Sequence, residues 1–132
     1  MSERIISCSA AIAEALTEEM TRDERIFIIG EDLVYHGGIF GQFKGLPERF
    51  PGRIIDTPIS ETCIVGSGLG AALTGMRPLV DLHFADFVTC AMDEIANQSA
   101  KIDSDLKEAV QFAEQSEWPK PEEAFEDLFI NP

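Results

Sequence analysis

The sequence predicts an α/β fold in which a short, mainly parallel sheet is flanked by helices and followed by a helical tail. Stretches with helical periodicity alternate with short apolar runs typical of buried strands, and polar or glycine-rich turns separate them. The charge is also unevenly distributed. Residues 1–101 carry 15 acidic and eight basic side chains, whereas residues 102–132 carry nine and two. We therefore expect an α/β domain over residues 1–101 and an acidic helical tail over residues 102–132.

The composition argues against several classes of protein. A chain of 132 residues is long enough for one domain with its own core. Its net charge of −14 argues against binding to nucleic acid or to an anionic membrane surface, because both attract basic proteins. No apolar stretch approaches the roughly 20 residues of a membrane span, and the first residues lack the apolar segment of a signal peptide. We expect a soluble, cytoplasmic protein.

The cysteines and histidines predict neither a disulfide nor a metal site. Cys8, Cys63 and Cys90 are odd in number, lie far apart and fall in apolar stretches. The sequence contains no C-x-x-C pair, and His36 and His83 are its only histidines. We expect three buried, reduced cysteines and no metal ligands from this chain.

The first two elements are a predicted helix and a predicted buried strand. Residues 7–20 carry an apolar stripe at spacings of three and four residues, opposed by glutamates. The stripe consists of Ala11, Ile12, Ala15, Leu16 and Met20. A polar turn leads to the apolar run 26–29, which predicts a strand that is buried on both faces and ends at Gly30.

The rest of the domain continues the alternation of strands and helices. The predicted elements are a glycine-rich loop over 31–45, a helical turn over 46–50, a strand over 53–55, a helix from the N-cap Ser60 to about Thr74, a strand over 78–84 and a helix over 88–101. Strands joined through helices in this way predict parallel crossovers.

Residues 102–132 predict a tail of helices and extended chain. Asp103 or Ser104 is the expected N-cap of a helix with an apolar stripe. The stripe consists of Leu106, Ala109, Val110 and Ala113. Pro119 and Pro121 predict extended chain over 116–121, followed by a short helix over 121–129.

A glycine motif offers one functional hypothesis, dinucleotide binding. The segment from Gly66 to Ala71 matches the pattern G-x-G-x-x-A. That pattern binds a pyrophosphate only where a strand turns into a helix. Because Ser60 caps a helix ahead of the motif, we expect these glycines inside the helix. There, close packing at Gly66 and Gly70 would compensate for their poor helix propensity.

Two groups of acidic residues predict a different site. Glu61 follows the N-cap Ser60, and Glu31 with Asp32 follows the first strand. The loops after parallel strands converge at one edge of a sheet, where α/β proteins bind ligands. Phe84 ends the third predicted strand and Phe87 follows it, so we expect a pocket of carboxylates and aromatic rings. The sequence contains no nucleophile motif.

Residues 5–101 resemble the N-terminal part of the beta subunit of thiamine-diphosphate-dependent 2-oxo acid and acetoin dehydrogenases. Several short blocks carry the resemblance, in the order and at the spacing of that family. They are Ala13-Glu14-Ala15-Leu16, Arg22-Asp23-Glu24-Arg25, Gly30-Glu31-Asp32, Lys44-Gly45-Leu46, Asp56-Thr57-Pro58-Ile59-Ser60-Glu61, Gly75-Met76-Arg77-Pro78, Phe84-Ala85-Asp86-Phe87 and Asn97-Gln98-Ser99-Ala100-Lys101.

The resemblance implies a fold and a set of site residues. The fold is the three-layer thiamine-diphosphate-binding fold of the pyrimidine domain, in a truncated form. Glu61 corresponds to the glutamate that faces the aminopyrimidine ring of thiamine diphosphate and activates the cofactor. Phe87 corresponds to the aromatic residue that packs on that ring, and Ile59 to a residue that lines it. Glu31 corresponds to an acidic residue near the cofactor.

The resemblance also implies a partner. The chain lacks the motif with which the family's alpha subunit holds Mg²⁺ and the cofactor diphosphate, so it would supply only the pyrimidine half of a site. Residues 108–129 resemble the C-terminal end of that alpha subunit. The alternative is a non-catalytic module that keeps the fold and serves in assembly. Because an incomplete sheet leaves an unpaired edge, we expect that the tail covers this edge or that the chain self-associates.

Overall fold

Residues 5–115 are described by a computed structural model of the chain, with the exception of the side chains of Leu106, Ala109 and Ala113. In chain order the described elements are α1 (Cys8–Arg22), β1 (Ile26–Gly30), α2 (Leu46–Arg49), β2 (Ile54–Asp56), α3 (Glu61–Leu73), β3 (Arg77–Val80), a 3₁₀ segment (Ala85–Ala91), a π-helical segment (Asp93–Gln98) and α4 (Ser99–Gln115).

The three strands form one parallel sheet in the order β2-β1-β3. β1 is the central strand, as its apolar sequence predicts, and Ile28 is completely buried. Ile28 pairs with Ile54 of β2 on one side and with Leu79 of β3 on the other. The predicted parallel sheet is confirmed.

The two faces of the sheet pack against different layers, because successive side chains of a strand point to opposite faces. Ile28 and Ile54 belong to a buried cluster that includes Leu16 and Met20 of α1. Val80, on the opposite face from Leu79, packs against α3. The sheet is therefore sandwiched between a layer that contains α1 and a layer that contains α3, which confirms the predicted three-layer fold.

The first helix begins where the sequence predicts, because Ser7 caps it: the Ser7 hydroxyl accepts a hydrogen bond from the Ala10 amide at 3.2 Å. Leu16 and Met20 of the predicted stripe are buried. The other residues of the stripe, Ala11, Ile12 and Ala15, are exposed, so only part of the apolar stripe packs against the core.

The glycine motif lies inside α3, and this excludes the strand-to-helix turn that dinucleotide binding requires. The close approach occurs at Gly68 and not at the predicted Gly66 and Gly70. A Cβ atom at Gly68 would lie 2.5 Å from Cγ2 of Val80, whereas one at Gly70 would meet no atom within 4 Å. Gly68 therefore sets the distance between α3 and β3.

The region after β3 differs most from its prediction. β3 ends at Val80 and does not reach Phe84, because the chain turns at His83, whose φ is +62°. In place of one α-helix over 88–101, a 3₁₀ segment and a π-helical segment precede α4. Side-chain hydrogen bonds span the π-helical turn. Asn97 and Gln98 donate hydrogen bonds of 2.8 and 3.0 Å to the Asp93 carboxylate.

The described residues divide between Ser99 and Ala100 into two compact units, of which the first contains the sheet and the second contains the rest of α4. α4 starts at Ser99, so neither Asp103 nor Ser104 is an N-cap. Phe112 and Val110 are largely exposed on α4. The predicted extended chain over 116–121 and the helix over 121–129 lie outside the described residues.

All three cysteines are exposed, so the prediction that they are buried is wrong. Cys8 is the first residue of α1, and Cys90 lies in the 3₁₀ segment. Cys63 lies in the first turn of α3, whose buried residues are Ile64 and Gly68. Apolar neighbours in the sequence do not make these cysteines buried, because each one lies on the solvent-facing side of its element.

Candidate functional site

The carboxyl ends of the three strands bring the predicted site residues to one edge of the sheet. Beyond the end of β2, the Thr57 amide donates a hydrogen bond to the Gly30 carbonyl at 2.8 Å. Beyond the end of β3, the Asp81 amide donates to the Ile29 carbonyl at 2.9 Å. Glu31, which follows Gly30, therefore lies between the segment that leads to α3 and the segment that leads to the 3₁₀ helix.

Glu61 is the first residue of α3, and the cap that starts this helix places it. The Ser60 hydroxyl accepts a hydrogen bond from the Cys63 amide at 3.4 Å, as the sequence predicts. The Glu61 side chain is half-buried. Among the described residues, none forms a hydrogen bond or an ion pair with its carboxylate. Glu61 thus has the geometry of a carboxyl group that is available to a ligand.

Phe87 lies in a row of aromatic rings that crosses the edge of the sheet. The Phe87 ring meets Phe84 edge to face, with ring centroids 5.8 Å apart, and Phe84 meets Phe40 in the same way at 5.9 Å. Phe40 comes from the glycine-rich loop, so the row connects this loop with the 3₁₀ segment. Phe87 keeps 37% of its surface exposed.

A hydrogen bond connects the first turn of α3 with the 3₁₀ segment that carries Phe87. The Thr62 hydroxyl donates to the Cys90 carbonyl at 3.2 Å. Ile59 precedes the N-cap Ser60 and is 79% exposed. The structure therefore brings the elements that carry Glu61, Ile59 and Phe87 together, and it leaves apolar surface on Ile59 and Phe87 uncovered.

Glu31 has a partner that the sequence does not reveal. Its Oε1 atom lies 3.2 Å from Nε2 of His83, and Nδ1 of His83 lies 3.1 Å from Oδ2 of Asp81. The His83 side chain is only 3% exposed. The sequence pattern does not predict this arrangement, because Glu31 and His83 lie far apart along the chain. The sequence offers one indication of a polar group at this edge: Asp81 and His83 lie two residues apart at the end of an apolar run.

Burial dominates the electrostatics of this group. It raises the pKa of the Asp81 carboxyl above its ordinary value, while His83 and a hydrogen bond from Gln42 act in the opposite direction. The two carboxylates contact opposite sides of the imidazole ring and do not converge on one point. Within residues 5–115, no group of three or more His, Cys, Asp and Glu residues is arranged to hold a metal ion.

Two clefts open near this edge, and none of Glu31, Ile59, Glu61 and Phe87 lines either of them. The larger, about 590 Å³, is lined by Asp32, His36, Gly38, Ile39, Phe40, Gly41 and Lys44. The smaller, about 250 Å³, is lined by Val80, Asp81, Leu82, His83, Phe84, Ala85 and Val88. The contact between Phe40 and Phe84 joins the walls of the two clefts.

No helix in the described part of the chain has the length and apolar character needed to span a membrane.

Comparison with known proteins agrees with the fold. The sequence model of the family described as transketolase, pyrimidine binding domain, matches residues 5–110. The chain is 46% identical over 99 residues to the 2-oxoisovalerate dehydrogenase subunit beta of Bacillus subtilis, a match that covers 74% of this chain and 30% of that protein.

Two further relatives show the same pattern. The acetoin:2,6-dichlorophenolindophenol oxidoreductase subunit beta of Cupriavidus necator is 43% identical over 108 residues, covering 74% of this chain and 32% of that protein. The mitochondrial pyruvate dehydrogenase E1 component subunit beta of Dictyostelium discoideum is 46% identical over 92 residues, covering 69% and 26%. The match spans between about a quarter and a third of the length of these curated relatives. With its parallel three-layer fold and a family match over residues 5–110, the chain belongs to the transketolase pyrimidine-binding domain family and is related to the beta subunits of 2-oxo acid and acetoin dehydrogenases.

Proposed function

We propose that this chain is the pyrimidine-binding module of a thiamine-diphosphate-dependent 2-oxo acid or acetoin dehydrogenase, in which Glu61 activates the cofactor. The position of Glu61 carries the proposal. Glu61 is the first residue of α3 at the carboxyl edge of the sheet, in a chain that matches the pyrimidine-binding family. No described residue pairs with its carboxylate, so this group is available for a ligand.

The residues around Glu61 suit one half of thiamine diphosphate, its aminopyrimidine ring. Exposed apolar side chains of Ile59 and Phe87 suit the faces of a flat heterocycle, and the Glu61 carboxyl suits a ring nitrogen. When bound, the cofactor supplies an electron sink for the decarboxylation of a 2-oxo acid. We assign the diphosphate and Mg²⁺ to an alpha-type partner chain.

Each residue of this chain has a separate role in the proposal. Glu61 would share a proton with the ring nitrogen of the aminopyrimidine. Ile59 and Phe87 bind the ring and exclude water from its faces. Glu31 supplies a second carboxylate near the cofactor, held on its other side by His83.

The test compares Glu61→Gln with the wild-type chain, each mixed with the alpha subunit of a related dehydrogenase, thiamine diphosphate and Mg²⁺. We expect calorimetry to show cofactor binding by the wild-type mixture, and decarboxylation of a 2-oxo acid to fall by about a hundredfold or more in Glu61→Gln. The control is Glu24→Gln, an exposed residue in the turn before β1, at the opposite edge of the sheet. Equal activity of Glu61→Gln and the control would contradict the proposal.

A second candidate function is that of a non-catalytic module that serves in assembly. The observation that favours it is the amount of large apolar surface left uncovered in the first unit, including Tyr35 at 89%, Ile59 at 79% and Phe40 at 61%. This candidate predicts that the chain self-associates or binds an alpha-type subunit without binding the cofactor. Light scattering and calorimetry on the same samples separate the two functions. Under either function, we expect the protein in the cytoplasm.

A further inference from the structure

His83 is the most deeply buried ionisable side chain at the carboxyl edge of the sheet. Its side chain is 3% exposed, compared with 17% for Glu31 and 16% for Asp81. One ring nitrogen faces Glu31 at 3.2 Å and the other faces Asp81 at 3.1 Å. His83 therefore connects the carboxylate that follows β1 with the carboxylate that follows β3.

The backbone at His83 adopts a conformation that costs free energy. Its φ of +62° lies in the left-handed region, which residues other than glycine rarely occupy. The Phe84 amide donates to the Leu82 carbonyl at 2.7 Å, which closes a tight turn around His83. Strained residues of this kind persist where the surrounding structure holds them in place, and they are concentrated at functional sites. Here the strain places the imidazole between two carboxylates.

The contact with Asp81 is close but poorly aligned. Nδ1 of His83 and Oδ2 of Asp81 are both buried, and neither makes a well-aligned hydrogen bond in the described structure, although they lie 3.1 Å apart. Gln42, which is also buried, donates a hydrogen bond to the Asp81 carboxylate and accepts one from the Phe40 amide. Gln42 thus connects Asp81 to the backbone of the glycine-rich loop and restrains the carboxylate that faces the ring.

The strands approach closely enough for this bridge because Gly30 lacks a side chain. A Cβ atom at Gly30 would lie 2.8 Å from the Asp81 carbonyl oxygen. A larger residue at the end of β1 would push the two segments apart. The residue that follows β1, Glu31, can then reach His83 across the gap.

We propose that His83 is the positioning residue for Glu31: its Nε2 holds the Glu31 carboxylate in place, and Asp81 supports the ring from the other side. A glutamate side chain has several rotatable bonds, so a second contact point is needed to fix its carboxylate. The contact itself is independent of any ligand. What Glu31 faces when a cofactor is present rests on the proposed function.

The experiment uses two variants that each retain one side of the imidazole. His83→Gln keeps a nitrogen near the position of Nε2, which contacts Glu31. His83→Asn keeps a nitrogen near the position of Nδ1, which faces Asp81, and asparagine also tolerates positive φ better than glutamine. If His83 has a purely structural role, His83→Asn should disturb the Glu31 carboxylate less than His83→Gln does. If His83 positions Glu31, His83→Gln should disturb that carboxylate less.

The readout is the carboxyl carbon resonance of Glu31 in the full chain labelled with ¹³C-glutamate, assigned by its disappearance in Glu31→Gln. We expect this resonance to move to the position of exposed glutamates in His83→Asn and to stay close to the wild-type position in His83→Gln. An unchanged resonance in His83→Asn, or an equal or larger movement in His83→Gln, would overturn the proposal.

A reciprocal measurement covers the case in which a His83 variant does not fold. In the chain labelled with ¹⁵N-histidine, the isosteric change Glu31→Gln leaves His83 intact. We expect it to shift the His83 Nε2 resonance and to leave both His36 nitrogens unchanged. If the Nε2 resonance does not shift, His83 does not contact Glu31 and the proposal is wrong.

Cofactor binding then separates this proposal from the proposed function. With an alpha-type subunit present, we expect His83→Asn to weaken binding of thiamine diphosphate about tenfold more than His83→Gln does. If no variant and no wild-type mixture binds the cofactor while the resonance of Glu31 behaves as expected, the proposed function fails and the role of His83 stands. If the mixtures bind the cofactor and the resonance of Glu31 does not respond, the proposed function stands and the role of His83 fails.

Discussion

Gly68 of α3 and Val80 of β3 are in direct contact. A Cβ atom at Gly68 would lie 2.5 Å from Cγ2 of Val80, closer than side-chain carbons approach each other in folded proteins. The pair fixes how near α3 lies to the sheet. It also bears on the positions of Glu61, which starts the same helix, and of the residues that follow Val80 directly.

The first prediction concerns this contact. Gly68→Ala forces α3 away from β3, and we expect the free energy of unfolding to fall by about 1–3 kcal/mol. Gly70→Ala is the matched control, since a Cβ at Gly70 meets no atom within 4 Å and alanine favours the helix by up to about 1 kcal/mol. Urea denaturation of both variants gives the comparison. If the two alanines had the same effect, close packing at Gly68 would not be the cause.

The second prediction concerns Arg53, which satisfies carbonyl groups at the amino edge of the sheet. Its guanidinium donates hydrogen bonds of 2.8 Å to Met20 O and to Asp23 O and two further bonds to Ile26 O, and it lies over the Phe50 ring. We expect Arg53→Met to lower the free energy of unfolding by about 2–4 kcal/mol, because several partly buried carbonyls lose their donors at once.

Arg49 is the control for that change. Its guanidinium also lies over the Phe50 ring, at 5.6 Å from the centroid, but its side chain is exposed. Arg49→Met should therefore cost less than about 1 kcal/mol, as is usual for exposed residues. Equal losses for the two variants, measured by thermal or urea unfolding, would show that stacking on Phe50 is the important interaction and not the hydrogen bonds.

The third prediction concerns the start of the glycine-rich loop. Oδ1 of Asp56 accepts hydrogen bonds from the Leu33 amide at 2.6 Å and from the Val34 amide at 3.0 Å. Asp56→Ala removes the acceptor, and we expect hydrogen exchange at these two amides to become about tenfold faster or more. Asp56→Asn keeps the oxygen and should show most of the wild-type protection. Unchanged exchange in Asp56→Ala would mean that other contacts hold the loop.

The fourth prediction concerns Asp81 and pH. Burial raises the pKa of its carboxyl in the folded chain above the ordinary 3.8, so ionisation costs more in the folded than in the unfolded state. The favourable contribution is complete below that ordinary value and is lost as pH rises through the folded-state pKa. We expect the free energy of unfolding of wild type, relative to Asp81→Asn, to fall as pH rises from about 4. A difference that stays constant with pH would contradict this.

The fifth prediction concerns Asp23, whose contribution to stability is lost as pH falls, whereas that of Asp81 is lost as pH rises. Hydrogen bonds from Arg25 to the Asp23 carboxylate, aided by the positive charges of Arg25 and Arg77, hold the pKa of Asp23 well below its ordinary range. Asp23 therefore stabilises the fold above pH 3.8, and this contribution is lost as pH falls toward the folded-state pKa. Asp23→Asn should reduce the loss of stability on acidification, measured by denaturation in the acidic range.

Local chemistry was sufficient to predict the main elements. Ser7 and Ser60 precede helical patterns and cap them, because a serine hydroxyl accepts a bond from an amide of the first turn wherever that turn forms. The apolar run that ends at Gly30 became the central strand, since such a run is stable only when both of its faces are covered. The resemblance of the short blocks likewise needed only their residues and their spacing.

Long-range contacts decided what the sequence did not reveal. The strand pattern does not show that the chain turns at His83, where the imidazole lies between Asp81 and Glu31, a residue from a distant segment. Nor does an apolar neighbourhood show that Cys63 is exposed, since the side of α3 that meets the sheet is set where Gly68 contacts Val80.

For the candidate site, too, the sequence reveals some features and the tertiary structure reveals others. From its sequence alone, this chain can be seen to form a parallel α/β domain with Glu61 after a helix cap and Glu31 after a strand. Only the tertiary structure shows that Glu61 has no partner among the described residues while Glu31 is paired with His83. The reason is physical: caps and strand periodicity depend on neighbours a few residues away, whereas the partner of a side chain depends on how the strand ends are brought together in space.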